Sequence, residues 1–199
     1  MIFTLNIRDQ FCEHAEGVRQ SALESGFGTW KPNKGEVGSS NYEGMNFYGA
    51  HGIMLRSLSA ALGGLHIFPN SMFFRITTPG TEQAYIHSDR EMGDWTCLVY
   101  LSKHEDVSGT AFYRHKPTGL LEMPSMEDMK AAGVLESFGK DMVTRDPEKW
   151  EQIDFVRGLF NRAVIFHAPL FHSRIPIDGL GDGNPETARL VWVTHFSVG

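Results

Sequence analysis

The chain has 199 residues, of which 41% are hydrophobic and 21% charged, and a formal net charge of -6. That is enough chain for one well-filled domain with the balance of an ordinary globular protein. An acidic balance with no basic cluster argues against a nucleic-acid backbone as a main partner, and apolar runs such as Leu98-Val99-Tyr100-Leu101 are far too short to span a bilayer.

The N-terminus lacks the charged start and long apolar core of a signal peptide. Residues 2–7 alternate like a strand. Asp9 can N-cap a helix running to about Ser25, with Phe11, Ala15, Val18, Ala22 and Leu23 on one side and Gly26 at its end. Residues 28–44 are rich in Gly, Asn, Ser and Lys and read as a long loop. Its Trp30, Lys31, Asn33, Asn41 and Tyr42 suit either a substrate lid or an ordinary packed loop. Residues 52–62 form a second amphipathic helix stopped by Gly63-Gly64. From residue 71 the texture changes to short strands over 72–77, 84–87, 95–101, 110–114, 163–166 and 189–197. A charged helical insert over 125–137 separates the fourth from the fifth. Cys12 and Cys97 read as free, buried thiols of a reducing compartment. The pattern is mainly β with flanking helices. It predicts one domain over 1–199, a double-sheet jelly roll whose barrel core (71–199, with the insert at about 120–150) is supported by helices and strands within 1–70.

His87 and Asp89 are the residues that carry chemistry. Positions i and i+2 of a strand share a face, so an imidazole and a carboxylate can grip one ion from one short piece of backbone. Alone, the triplet reads equally as a surface histidine and a turn-forming aspartate. A third ligand would complete a two-histidine, one-carboxylate face of the kind that holds Fe(II). Two residues can supply it: His167, ending an apolar strand, and His172, opening a new one after a Pro-containing turn. Arg189 begins the most apolar strand of the chain. A charge there is costly unless paired, and a guanidinium is shaped to grip a carboxylate.

The order of these residues resembles the Fe(II)/2-oxoglutarate-dependent dioxygenases, and more closely their prolyl-hydroxylase-like branch, in a form like bacterial and phage members. The motifs are HSD (87–89), WTCLVYLS (95–102), GTAFYRH (109–115), NRAVIF (161–166), FHSRIP (171–176) and ARLVWVTHFS (188–197). The stretch from His172 to Arg189 is longer than is usual in that branch, and its loop of Gly, Asp and Pro is one that a hairpin absorbs.

The resemblance implies a double-stranded β-helix in which His87, Asp89 and His172 bind Fe(II). It implies that Arg189 binds the distal carboxylate of 2-oxoglutarate with the Tyr100 hydroxyl, while Thr96 lines the same pocket. It further implies a hydroxylase that consumes O2, supported by ascorbate, and releases succinate and CO2 while oxidising a C–H bond of a peptidyl or small-molecule substrate. Related halogenases carry a small residue where this chain has Asp89. The alternative is a non-catalytic cupin-like barrel, which would need no carboxylate grip. The expected location is the cytoplasm of a bacterial or phage-infected cell, with no membrane or nucleic-acid partner; the oligomeric state is left open. His195, Arg174 and Arg75 are each either site residues or ordinary core and surface groups. His51, His66, His104 and His115 lack ligand spacing and read as structural or solvent-facing.

Overall fold

The computed structural model describes residues 5–24, 28–29, 40–42, 48–77, 86–103, 108–142, 146, 148–176 and 186–199. In chain order these form β1 (Asn6–Arg8), α1 (Ala15–Glu24), β2 (Gly28–Thr29), β3 (Ser40–Tyr42), α2 (Tyr48–Ala61) and β4 (Ile67–Thr77). A 3-10 turn (Arg90–Met92) leads into β5 (Trp95–Tyr100) and β6 (Gly109–His115). The insert α3 (Met126–Ala131) and α4 (Leu135–Asp141) follows, then β7 (Trp150–Arg157), β8 (Arg162–His167), β9 (His172–Ile175) and β10 (Arg189–Val198).

The strands make two antiparallel sheets, a seven-stranded one in the order β1-β8-β5-β10-β4-β3-β2 and a three-stranded one in the order β7-β6-β9. Alternation then sorts side chains into three layers. Leu98, Tyr100, Val164, Phe166, Val191 and Val193 of the large sheet meet Phe112 and Val156 of the small one, and this is the barrel interior. The intervening residues Cys97, Val99, Ile165, Leu190 and Trp192 face outward and take Val18 and Ala22 of α1 and Met54 and Leu58 of α2. Fully burying Met54 and Leu58 contributes about 1.5–3 kcal/mol each, enough to fix α2 on the sheet. On the far side Ala111, Tyr113, Trp150 and Phe171 receive Met129 and Phe138 of the insert. The architecture is the expected double-stranded β-helix buttressed by helices. No helix among the described residues is long and apolar enough to cross a membrane. Both cysteines are free and buried.

Several element boundaries differ from expectation for local reasons. The first helix starts at Ala15 and not at Asp9. The Asp9 carboxylate is taken by Arg162 at 2.5 and 2.9 Å, and the amides of Phe11 and Cys12 are tied to Asn161. This segment is therefore spent on anchoring before the helix begins. α2 ends where predicted, with Gly63 and Gly64 both at positive φ and their amides closing onto Ala60 and Ser59 carbonyls. β4 runs from Ile67, including Pro69, because a bulge at Asn70 of β4, opposite His195 and Phe196 of β10, absorbs the irregular pairing. The insert is two helices, broken at Gly133 with φ 66°, and its first is capped by the Ser125 hydroxyl. β7 was not anticipated. Residues 2–4, 84–85, most of the 28–44 loop and His104 lie outside the described residues.

Candidate metal centre

His87 does not close a described strand. It makes a single antiparallel bridge to His172, with reciprocal backbone hydrogen bonds of 3.0 and 2.8 Å. That bridge extends the small sheet beyond β9 and sets the two imidazoles side by side, with ring centroids 4.4 Å apart. The chain then turns. The Asp89 amide donates to Ala168 O at 2.8 Å, Asp89 O accepts from the Met92 amide at 2.7 Å, and the Asp89 backbone sits near φ -98°, ψ 18°. Side chains of His87, Asp89 and His172 consequently converge, each offering a ligand atom within 4.8 Å of the others. The Asp89 carboxylate lies 3.7 Å from His87 Nε2 through Oδ1 and 3.4 Å from His172 Nε2 through Oδ2. His87 is half exposed at the mouth, whereas His172 is buried against Phe112 and Phe166.

The donor set fits a divalent metal. His172 Nδ1 donates to Leu170 O at 2.9 Å, so its Nε2 lone pair faces the cluster. Burial pushes this imidazole down to about 4, partly offset by the Asp89 charge, so the neutral ligand form prevails at neutral pH. Burial by itself would raise the Asp89 carboxyl. The neighbouring His172, His195 and His87 outweigh it and hold the group well below the usual carboxylate range, so it is an anionic ligand. Two imidazoles and one carboxylate are the set that suits Fe(II) with open positions.

Of the two histidines offered as third ligand, the structure brings His172 to the cluster. His167 sits on the outward-facing side of β8, with Nδ1 3.1 Å from Glu122 Oε1 and its ring against Trp95. Thr96 faces inward, and its hydroxyl donates to Asp89 Oδ2 at 2.9 Å. Tyr100, two turns of the pleat further on, donates to Thr110 Oγ1 at 2.8 Å, and the guanidinium carbon of Arg189 lies 5.7 Å from its ring centroid. Burial raises the Tyr100 phenol against the opposing Arg189 charge, which keeps it a donor. Arg189 is buried directly opposite Thr77 in register. Arg174 is also buried and faces inward opposite Thr110, and Arg75 shares the inward face of Phe73.

His195 reaches the cluster as well. Its Nε2 is 3.3 Å from Asp89 Oδ2 and its Nδ1 is 2.6 Å from Ser71 Oγ. Sequence reasoning placed His195 on the right face but missed Ser71 and Thr110. Ser71 sits opposite His195 through strand register and Thr110 meets Tyr100 across the two sheets, neither of which a local pattern reveals. His51 and His115 are structural. His51 accepts from Trp192 Nε1 at 2.9 Å, and His115 bridges Thr118 and Asp141 at 2.9 and 3.0 Å.

A double-stranded β-helix with a His-Asp-His cluster at its mouth is thus the class that fold and site define. The chain belongs to a family of unknown function, DUF6445, whose model matches residues 62–196. No curated protein matches the sequence. Among solved structures, HygX from Streptomyces hygroscopicus with iron bound is similar at 11% identity, covering 98% of this chain and 82% of that one with a TM-score of 0.58. SnoK, a non-heme alpha ketoglutarate dependent carbocyclase from nogalamycin biosynthesis, is similar at 12% identity, 98% and 79% coverage and a TM-score of 0.57. EvdO2 from Micromonospora carbonacea var. aurantiaca, complexed with 2-oxoglutarate, is similar at 15% identity, 99% and 87% coverage and a TM-score of 0.51. At such identities the likeness establishes a shared fold.

Proposed function

We propose that this protein is an Fe(II)- and 2-oxoglutarate-dependent dioxygenase that hydroxylates a C–H bond of a peptidyl, including prolyl, or small-molecule substrate. The observation that carries the reading is the convergence of His87, Asp89 and His172 at the mouth of the barrel, with Arg189 and Tyr100 deeper inside it. Bound Fe(II) would supply the oxidising chemistry, using O2 and 2-oxoglutarate and yielding succinate and CO2. The chain's own part is to hold and orient. His87, Asp89 and His172 hold the metal on one face. Arg189 offers a charged fork to the distal carboxylate, the Tyr100 phenol adds a neutral donor, and the dry wall of Val191, Val193, Phe112 and Phe166 keeps water from the cosubstrate. The ordered motifs from HSD to ARLVWVTHFS support the prolyl-hydroxylase-like branch. The iron and 2-oxoglutarate named with HygX and EvdO2 support the cofactor assignment by analogy of fold. The carbocyclase SnoK shows that hydroxylation is one outcome of several on this fold, so the product must be measured. Ascorbate as supporting reductant and a cytoplasmic location complete the proposal.

The test supplies Fe(II), ascorbate, O2 and 2-oxoglutarate with panels of prolyl peptides and small metabolites. Succinate formed in step with a product 16 mass units heavier, roughly one added oxygen atom, supports hydroxylation. A metal-loaded protein that never binds 2-oxoglutarate leaves the non-catalytic cupin-like barrel as the better reading.

A further inference from the structure

The three ligand candidates do not account for everything that touches the Asp89 carboxylate. Oδ2 receives the Thr96 hydroxyl at 2.9 Å and faces His195 Nε2 at 3.3 Å as well as His172 Nε2 at 3.4 Å. Oδ1 accepts no hydrogen bond from the described residues, its closest ionic neighbour being His87 Nε2 at 3.7 Å. His195 is buried on β10, directly opposite Thr96 on one side and Ser71 on the other. Ser71 Oγ lies 2.6 Å from His195 Nδ1. A serine hydroxyl donating to Nδ1 leaves the neutral ring with its proton on Nε2, aimed at the carboxylate.

We infer that His195, oriented by Ser71, is a positioning residue that works with Thr96 at Asp89 Oδ2 to fix the orientation of the carboxylate beside His87 and His172. A carboxylate held at Oδ2 by Thr96 and flanked there by His195 keeps one orientation toward His87 and His172, so a metal that these three residues would hold meets a donor already in place. The inference rests on the metal-centre reading above. It concerns residues that lie outside the ligand group, since His195 does not join the three-residue cluster.

The experiment titrates Co(II) into the full-length protein by calorimetry and records the visible absorption of the bound ion, which reports coordination number. Wild type is compared with His195→Leu, His195→Gln, Ser71→Ala and Thr96→Val, each checked by near-ultraviolet circular dichroism. Removing the partner of a ligating carboxylate costs roughly 10–100-fold in metal affinity. His195→Leu should show that loss together with a changed Co(II) spectrum, Thr96→Val and Ser71→Ala smaller losses in the same direction. His195→Gln, whose amide can donate to Oδ2 and accept from Ser71, should restore both affinity and spectrum. Should His195→Leu fail to fold, Thr96→Val and Ser71→Ala carry the decision. Folded variants with wild-type affinity and spectrum overturn the inference while leaving the metal centre intact. A Gln variant no better than Leu also overturns it. A wild type that binds no Co(II) overturns the metal centre itself.

Discussion

Burial decides which histidine can serve as a ligand. His172 is enclosed by Phe112 and Phe166 with its Nδ1 proton committed to Leu170 O, so its Nε2 has one direction to face. His167 is more exposed and engaged with Glu122. His172→Ala should therefore abolish Co(II) or Mn(II) binding in a titration, whereas His167→Ala should leave it within about threefold of wild type, a change under 1 kcal/mol. Arg189 makes a different kind of contribution. Replacing it with Met keeps much of the stem against Tyr100 but removes the fork, a loss of about 1.5–3 kcal/mol for a charge-assisted contact. The 2-oxoglutarate dissociation constant should rise by roughly 10–100-fold with metal affinity unchanged.

At the scale of elements, the site depends on strands that approach unusually closely. Gly158, just after β7, has no side chain because the Tyr100 ring occupies that space: an added Cβ would meet Tyr100 Cδ1 at 2.8 Å and Ser108 Oγ at 3.1 Å. Gly158→Ala should cost about 1–3 kcal/mol in denaturant unfolding and weaken 2-oxoglutarate binding, by tilting Tyr100, without affecting the metal.

The same elements show what could be read from the chain. β5, β8 and β10 were legible because their alternating or continuous apolar runs bury one or both faces; local spacing paired His87 with Asp89 and put Arg189 at the start of a strand, whereas the choice of His172 over His167 and the role of Tyr100 came from the family resemblance of the ordered motifs. β7 was not legible. Trp150–Arg157 carries three charged residues, and the extra residue Ile153, bulged opposite Phe112 and Tyr113 of its partner, breaks strict period-two burial. The start of β4 was hidden by Pro69 and Asn70, ordinary strand breakers that the bulge at Asn70 itself, opposite His195 and Phe196, accommodates. Ser71 matters through strand pairing and Thr110 through the packing of one sheet on the other, long-range properties that no window of sequence contains.

On the scale of the whole molecule, outer helices hold a sheet whose inner face holds the site. His51 of α2 accepts the indole proton of Trp192, which lies on the outward side of the strand bearing Arg189 and His195. Burial lowers the His51 imidazole from 6.5, so the folded state favours the neutral ring. As pH falls below that value the unfolded chain takes up a proton that the folded chain resists, and stability is lost. Wild type should therefore lose thermal stability between about pH 7 and pH 5 relative to His51→Asn, which keeps an acceptor that does not titrate. Metal binding should act in the opposite sense. A divalent ion at 100 times its dissociation constant contributes about 2.7 kcal/mol, or roughly 5–10 °C in the melting midpoint, and His172→Ala should show none of that rise.

The most direct test is a calorimetric titration of 2-oxoglutarate into wild-type protein, first metal-free and then loaded with Mn(II) in the absence of turnover. A cluster that holds metal beside an Arg189–Tyr100 grip requires tight 2-oxoglutarate binding with Mn(II), at least tenfold weaker binding without it, a gap of about 1.4 kcal/mol or more, and loss of the metal-dependent part in His172→Ala. Mn(II)-loaded protein that shows no heat with 2-oxoglutarate, or affinity that is the same with and without metal, would contradict the account.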